Sequence, residues 1–164
     1  MDTTTQTRAR LVYGVAFGLL LVWVGSIWAA PWLLCSGHPW LALLLYRGFS
    51  LVCHQRPERS FHWCGSPLTV CVRCTGIYAG ALLGLLIYPW WRSLAAQALP
   101  ARRYLWGALL VLLLDWALGV TGLIRNNAPS RFATGLFLGA ISVFYLFPVL
   151  LWGAKPFLLH KLKT

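Results

Sequence analysis

Acidic side chains are nearly missing from this chain: Asp and Glu number 3 in 164 residues, against 14 Lys and Arg. Charged residues of both signs make up only 10%, where a soluble domain carries about 25%. Beside a hydrophobic content of 59%, that scarcity excludes a disordered chain, which combines high charge with few apolar residues. Cysteine is sparse as well, 5 in all, too few for a small secreted disulfide scaffold. A water-soluble globule is excluded by the apolar runs, which are too long for core helices. What remains is an all-α, polytopic membrane helix bundle, a single domain over residues 1–164.

The net charge of +11 and a pI near 10.1 could suggest a nucleic-acid partner. The positive residues, however, lie in short segments between apolar runs, which is how membrane proteins distribute them. The expected partner is therefore the lipid bilayer, and no nucleic acid is expected.

A crossing needs about 20 largely apolar residues. Four stretches qualify: Leu11–Leu34, Leu68–Trp91, Tyr104–Ile124 and Phe132–Trp152. A fifth, Pro39–Cys53, is shorter and contains Arg47. It reads as a re-entrant or interfacial helix, since an arginine facing lipid at mid-depth is costly. With four crossings, one side holds Arg8, Arg10, Arg92, Arg102, Arg103, Lys155, Lys161 and Lys163. The other holds Arg47, Arg56, Arg59, Arg73, Arg125 and Arg131. Every lysine is on the first side, so the positive-inside rule makes that side cytoplasmic. The expectation is a multi-pass protein of the cytoplasmic membrane with both termini inside. The first run far exceeds the 7–15 residues of a signal-peptide core and is read as a retained anchor. Trp28, Trp32, Trp40, Trp90 and Trp91 near the span ends fit an interfacial belt. Gly14/Gly18, Gly76/Gly80/Gly84 and Gly135/Gly139 repeat at four-residue spacing, a pattern that lets helix backbones approach closely.

The chemistry concentrates in residues 53–78, which hold Cys53, His54, Glu58, Arg59, His62, Cys64, Cys71, Arg73 and Cys74. Cysteine and histidine clusters suit zinc or another soft transition metal. Cys71 and Cys74 have the spacing at which two sulfurs grip one ion or close one disulfide. Helical periodicity puts Cys71, Cys74, Thr75 and Tyr78 on one face and the glycine stripe on another. Cys35 stands apart and reads as a small hydrophobe. Asp115 interrupts the third run about nine residues before its end, roughly 14 Å deep, where an unpaired charge costs several kcal/mol. Arg73, Arg131 and Tyr78 are its candidate partners. The segment Arg125–Arg131 reads as a turn from its Asn and Pro content, with Ser130 able to cap the last helix.

Taken together, Cys53-His54-Gln55, Glu58-Arg59-Ser60-Phe61, Cys71-x-Arg73-Cys74-Thr75-Gly76-x-Tyr78-x-Gly80, Asp115, Asn127, Arg131 and Thr134-Gly135 resemble a family. It is the domain-of-unknown-function family 2085 of small bacterial and archaeal integral membrane proteins. The resemblance spans about residues 40–140. It implies a polytopic membrane protein and no particular activity. It also implies one common site formed by Cys53, His54, Glu58, Arg59, Cys71, Arg73, Cys74, Asp115 and Arg131.

Three functions stay open. In the first, Cys53, His54, Cys71 and Cys74 hold zinc or another transition metal at the outer face. Glu58 is then the general base, and Arg59, Arg73 and Arg131 meet an anionic lipid head group or small anion. In the second, the protein is a membrane thiol–disulfide oxidoreductase. Cys71 and Cys74 form its active pair, Cys53 and Cys64 its shuttle pair, and a quinone is its cofactor. In the third, Asp115 serves a small transporter.

Overall fold

The computed structural model describes residues 3–123 and 126–161, with 154–161 as helical backbone alone. Asp2, Ile124, Arg125 and Lys163, and the side chains of Lys155 and Lys161, lie outside the described residues. Five α-helices carry the fold: α1 (Thr3–Cys35), α2 (Pro39–Ser50), α3 (Val72–Trp91), α4 (Arg102–Val120) and α5 (Ala128–Lys161). Four of them are long and apolar enough to cross a membrane, namely Thr3–Cys35, Val72–Trp91, Arg102–Val120 and Ala128–Gly153. The α2 helix has 12 residues, about 18 Å of rise, and is too short to cross a hydrocarbon layer of about 30 Å. The four-crossing reading with one half-length helix therefore holds.

Boundaries differ where polar chemistry outweighs hydropathy. The second crossing was expected from Leu68, but α3 starts at Val72, with Cys71 as an extended N-cap at φ −67° and ψ 160°. Leu68, Thr69 and Val70 form a buried approach to it, bent at Thr69 and Val70. The third run ends at Val120 rather than at residue 124. Asp115 thus lies about one and a half turns from a helix end, shallower than the sequence indicated. At the start of α5, Asn127 rather than Ser130 supplies the cap: Ser130 N–H donates to Asn127 Oδ1 at 2.9 Å.

Helices α3 and α5 form the tight pair. Cβ atoms added at Gly76, Gly80 or Gly84 would strike the α5 backbone, the last at 2.6 Å from the Ala140 carbonyl oxygen. Gly135 and Gly139 meet the α3 backbone in the same way. The pattern in α1 has another meaning, because nothing lies within 4 Å of a Cβ at Gly14 or Gly18. Helix α1 crosses the pair and is fixed at one end by Tyr13, whose hydroxyl donates to the Leu85 carbonyl at 2.9 Å. Helix α4 packs on α5, and Tyr145 OH on α5 donates to the Ala101 carbonyl at 2.8 Å.

Two apolar clusters mark the ends of the bundle. One, of Ala9, Leu85, Tyr88, Val143, Phe147 and Leu151, lies where α1 begins and α3 and the crossing part of α5 finish. The other, of Ile27, Phe49, Cys53, Leu68 and Val70, has Phe61, Cys71, Cys74 and Tyr78 packed against it. Between α2 and α3 runs an antiparallel hairpin that the sequence did not indicate, His62–Trp63 with Ser66–Pro67. Its turn is Cys64-Gly65, both at positive φ, 52° and 74°. That is the backbone of a two-residue hairpin turn matched to strand twist.

Candidate metal centre and the adjoining polar network

Cys53 enters the site because α2 stops at Ser50 and the next residues fold back, with the Cys53 N–H donating to the Phe49 carbonyl at 3.0 Å. The turn continues through Gln55 at φ 47°. Its side-chain amide donates to the carbonyls of Tyr46 at 2.7 Å and Thr69 at 2.8 Å. Gln55 thereby staples the end of α2 to the segment leading into Cys71. Tyr46 adds a second tie, its hydroxyl donating to the Pro67 carbonyl. The Cys71 N–H then donates to the Cys53 sulfur at 3.2 Å.

The sulfurs of Cys53, Cys71 and Cys74 all lie within 4.8 Å of one another. Cys53 is buried, and the other two are half-buried. All five cysteines are free thiols. Cys71 sits at the N-terminus of α3, and its thiol is lowered to about 5. The chief cause is the hydrogen bond from the Cys74 thiol. Burial opposes it, while the backbone N–H groups of Cys74 and Arg73 and the Cys53 thiol assist. Neither amide closes a regular capping bond; they act through the field of the helix end. Three grouped cysteine sulfurs are the donor set of a soft-metal site, so the three cysteines could hold a metal ion.

A cavity of about 310 Å³ opens over this group, lined by Val52, Cys53, His54, Arg56, Arg59, Cys71 and Cys74. His54 reaches the cavity but is not one of the grouped donors. The sequence placed it beside Cys53 as a ligand; the backbone turn at Gln55 leaves it exposed at the cavity wall. Arg56 and Arg59 both line the cavity. Glu58 lies in the 3-10 turn Pro57–Arg59, exposed and outside the lining.

The remaining candidates form a second, separate group. Arg73 Nη2 pairs with Asp115 Oδ2. Asn126 Nδ2 donates to the Asp115 carbonyl at 2.7 Å and to its Oδ2 at 2.9 Å, and Asn126 Oδ1 accepts from Arg131 Nε at 2.9 Å. Thr134 Oγ1 lies 3.5 Å from the same carboxylate oxygen. The single site read from the sequence is therefore two. A turn of about 100° per residue sends Arg73 to a different face of α3 from Cys71 and Cys74. Of the partners expected for Asp115, Arg73 is correct, and Arg131 reaches it only through Asn126. Gly119 makes the room, since a Cβ there would lie 2.7 Å from the Asn126 Cβ. Asn126 and Gln55 were missed as organisers: the first was visible only as turn composition, the second only as a member of the Cys-His-Gln triplet. The redox shuttle pair is corrected too. Cys53 lies with Cys71 and Cys74, while Cys64 at the hairpin tip lies against Cys35.

A polytopic bundle with a cysteine cluster at one end, opened by a Cys-x-Arg-Cys-Thr-Gly helix start, defines the class as an integral membrane protein whose three grouped cysteines could hold a metal ion. Over residues 53–145 the chain matches the family described as predicted membrane protein DUF2085. The chain belongs to this family. It is 37% identical over 134 residues to an uncharacterised protein of Methanocaldococcus jannaschii, covering 79% of this chain and 86% of that one. It is 37% identical over 90 residues to an uncharacterised protein of Methanothermobacter thermautotrophicus, covering 54% of this chain and 78% of that one. No solved structure matches the chain significantly.

Proposed function

We propose that this multi-pass membrane protein holds zinc, or a transition metal of similar preference, on Cys53, Cys71 and Cys74, and that the adjoining cavity takes an anion. The observation that carries the reading is the approach of three sulfurs, from two chain segments, to within 4.8 Å of one another beside that cavity. Zinc–sulfur bonds of about 2.3 Å in a tetrahedron set the sulfurs roughly 3.8 Å apart, so small side-chain shifts complete the coordination. Three protein ligands leave a fourth position toward the cavity. A metal with an open position supplies Lewis acidity there.

The chain's own residues do the rest. Arg56 and Arg59 offer planar forks to a phosphate or carboxylate. His54 stands at the cavity wall, within reach to exchange a proton or to complete the coordination. The cavity is at a bundle end, where an anionic lipid head group is the nearest source of such an anion. By the lysine distribution this end is the outer one, with both termini cytoplasmic. Glu58 has no role in this reading. Arg73, Asp115 and Arg131 position helix ends.

Metal analysis with thiol counting, on protein purified without chelator or reductant, tests the reading. The expected result is one metal per chain, with three thiols that become reactive only after chelation. Absence of metal from protein grown and purified with zinc would overturn it. A second reading, a thiol–disulfide oxidoreductase using a quinone, is favoured by one feature, the contact between the Cys71 and Cys74 thiols at the start of α3. A reducible Cys71–Cys74 bond in metal-free protein with bound quinone would select it. Transport gains nothing from the geometry, because Asp115 is already engaged by Arg73 and Asn126.

A further inference from the structure

Outside the metal centre, the structure brings together two exposed thiols from distant parts of the sequence. Cys35 ends α1, and its sulfur lies 3.8 Å from the Cys64 carbonyl, across a separation of 29 residues; the two side chains are also in hydrogen-bonding reach. Both residues are exposed. The supports on each side are built. After Cys35 the chain closes with Gly37 at φ 77° and a His38 N–H bond to the Leu33 carbonyl at 2.9 Å. On the other side, Trp63 meets Trp28 of α1 edge-on at 6.0 Å, docking the hairpin that carries Cys64.

Cys64 also occupies a costly backbone position. Its φ of 52° is left-handed, and a two-residue hairpin turn of this kind is best made by Asn-Gly or Asp-Gly. Cysteine there brings no conformational benefit. What it brings is a thiol, held beside another thiol on a separate element.

We propose that Cys35 and Cys64 are a reversible disulfide site that clasps the hairpin to the end of α1. The co-reactant is a disulfide, either of a protein or of a small thiol. The Cys64 thiolate attacks one sulfur of that disulfide. The incoming S–S bond breaks, a mixed disulfide forms on Cys64, and one co-reactant thiol leaves. The Cys35 thiolate then attacks the Cys64 sulfur, closing Cys35–Cys64 and releasing the second co-reactant thiol. Two electrons pass to the co-reactant, and the two protons lost by the cysteines end on its thiols. The in-cell setting rests on the outward orientation proposed above, since oxidising compartments supply such disulfides. The bond-forming geometry does not depend on it. The clasp also bears on the metal centre, because the hairpin joins the Cys53 turn to the Cys71 helix start.

The test is peptide mapping of the full-length protein in detergent. The protein is treated with oxidised glutathione, quenched with N-ethylmaleimide and digested without reductant. The expected result is a dominant Cys35–Cys64 cross-linked peptide and loss of two of the five maleimide-reactive positions seen after chelation and full reduction. In Cys35→Ser and Cys64→Ser the internal bridge disappears, and a glutathione adduct remains on the surviving partner. Wild-type protein in which both residues stay singly capped, or in which Cys64 links instead to Cys53 or Cys71, overturns the proposal. Zinc measured on the same samples keeps the two readings apart. A Cys35–Cys64 bridge in metal-free protein supports the clasp while the metal reading fails, and bound zinc with no bridge does the reverse.

Discussion

The Arg73 guanidinium on α3 pairs with the Asp115 carboxylate on α4, two helices that otherwise barely meet. Both side chains are largely enclosed, 18% and 14% exposed. Asn126 holds the same carboxylate from the α4–α5 connection, so one acid ties three helix ends. Removing one member of a buried pair leaves the other charge uncompensated, at a cost of about 3–5 kcal/mol. Asp115→Leu should therefore lower stability by about 3 kcal/mol, at the smaller end of that range because the pair is not fully enclosed. Arg73→Met/Asp115→Leu should recover a good part of the loss, since apolar replacement of both partners is often neutral. Unfolding of purified protein in detergent measures both. A double variant no more stable than Asp115→Leu alone would remove the ion pair from the account.

The glycine rows give the next prediction, because identical spacing has opposite consequences in two places. Gly80→Ala puts a Cβ into the Leu136 backbone, and Gly139→Ala puts one into the Ile77 backbone. Backbone cannot rotate away, so the two helices must separate. Each substitution should cost at least the 1–3 kcal/mol typical of overpacking, roughly. Gly14→Ala and Gly18→Ala meet open space and should be neutral, or slightly stabilising from higher helix propensity. Thermal unfolding of the four variants checks the contrast. Equal effects in α1 and α3 would show that the α3–α5 contact does not set stability.

That contrast also indicates what was legible in the sequence. Hydropathy located all four crossings, because length and apolar content alone decide whether a helix can span a bilayer. It placed Asp115 too deep and began α3 too early, since hydropathy is blind to the cap at Cys71 and the turn at Gly122. The cysteine cluster was legible as composition and as spacing within one helix turn. Its partition was not. Whether Arg73 joins Cys71 depends on the azimuth around α3, and that matters only once α4 and α5 have taken their places. His54 was assigned by adjacency to Cys53, but neighbours in an irregular turn need not point the same way. The Cys35–Cys64 approach is a tertiary contact with no local signature at all.

Metal retention should divide the cavity residues. Cys53→Ser, Cys71→Ser and Cys74→Ser each remove one of three grouped donors and should abolish stable binding. His54→Ala should retain the metal with affinity weakened by about 10–100-fold, the range for groups acting on a site from outside the ligand set. Competition with a chromogenic chelator gives the affinities. If His54→Ala lost metal as completely as Cys71→Ser, histidine would be the fourth ligand and the position toward the cavity would be closed. Arg56→Ala and Arg59→Ala should leave metal content unchanged, since both line the cavity without joining the donor group.

The last prediction concerns the sides of the membrane. Helix α1 starts beside the end of α3, through Tyr13 and Leu85, and α4 starts beside α5 at Tyr145 and Ala101. Arg8, Arg10, Arg92, Arg102 and Arg103 therefore gather at the end of the bundle opposite Cys53, Arg56 and Arg59. By the positive-inside rule a basic cluster of that kind is expected on the cytoplasmic side, which would set the cavity at the outer surface. Reporter fusions at Arg102 and after Lys161 should both read cytoplasmic, and a fusion at Arg59 should read outside. Opposite signals at Arg102 and Lys161 would require an odd number of crossings between them, with either α4 or α5 not traversing the bilayer, and would sink the four-crossing topology. Matching signals with all sides inverted would keep the topology and move the cysteine cavity into the cytoplasm. There, glutathione and thioredoxin keep thiols reduced, so the three grouped cysteines could still hold a metal while Cys35 and Cys64 would stay open in the cell.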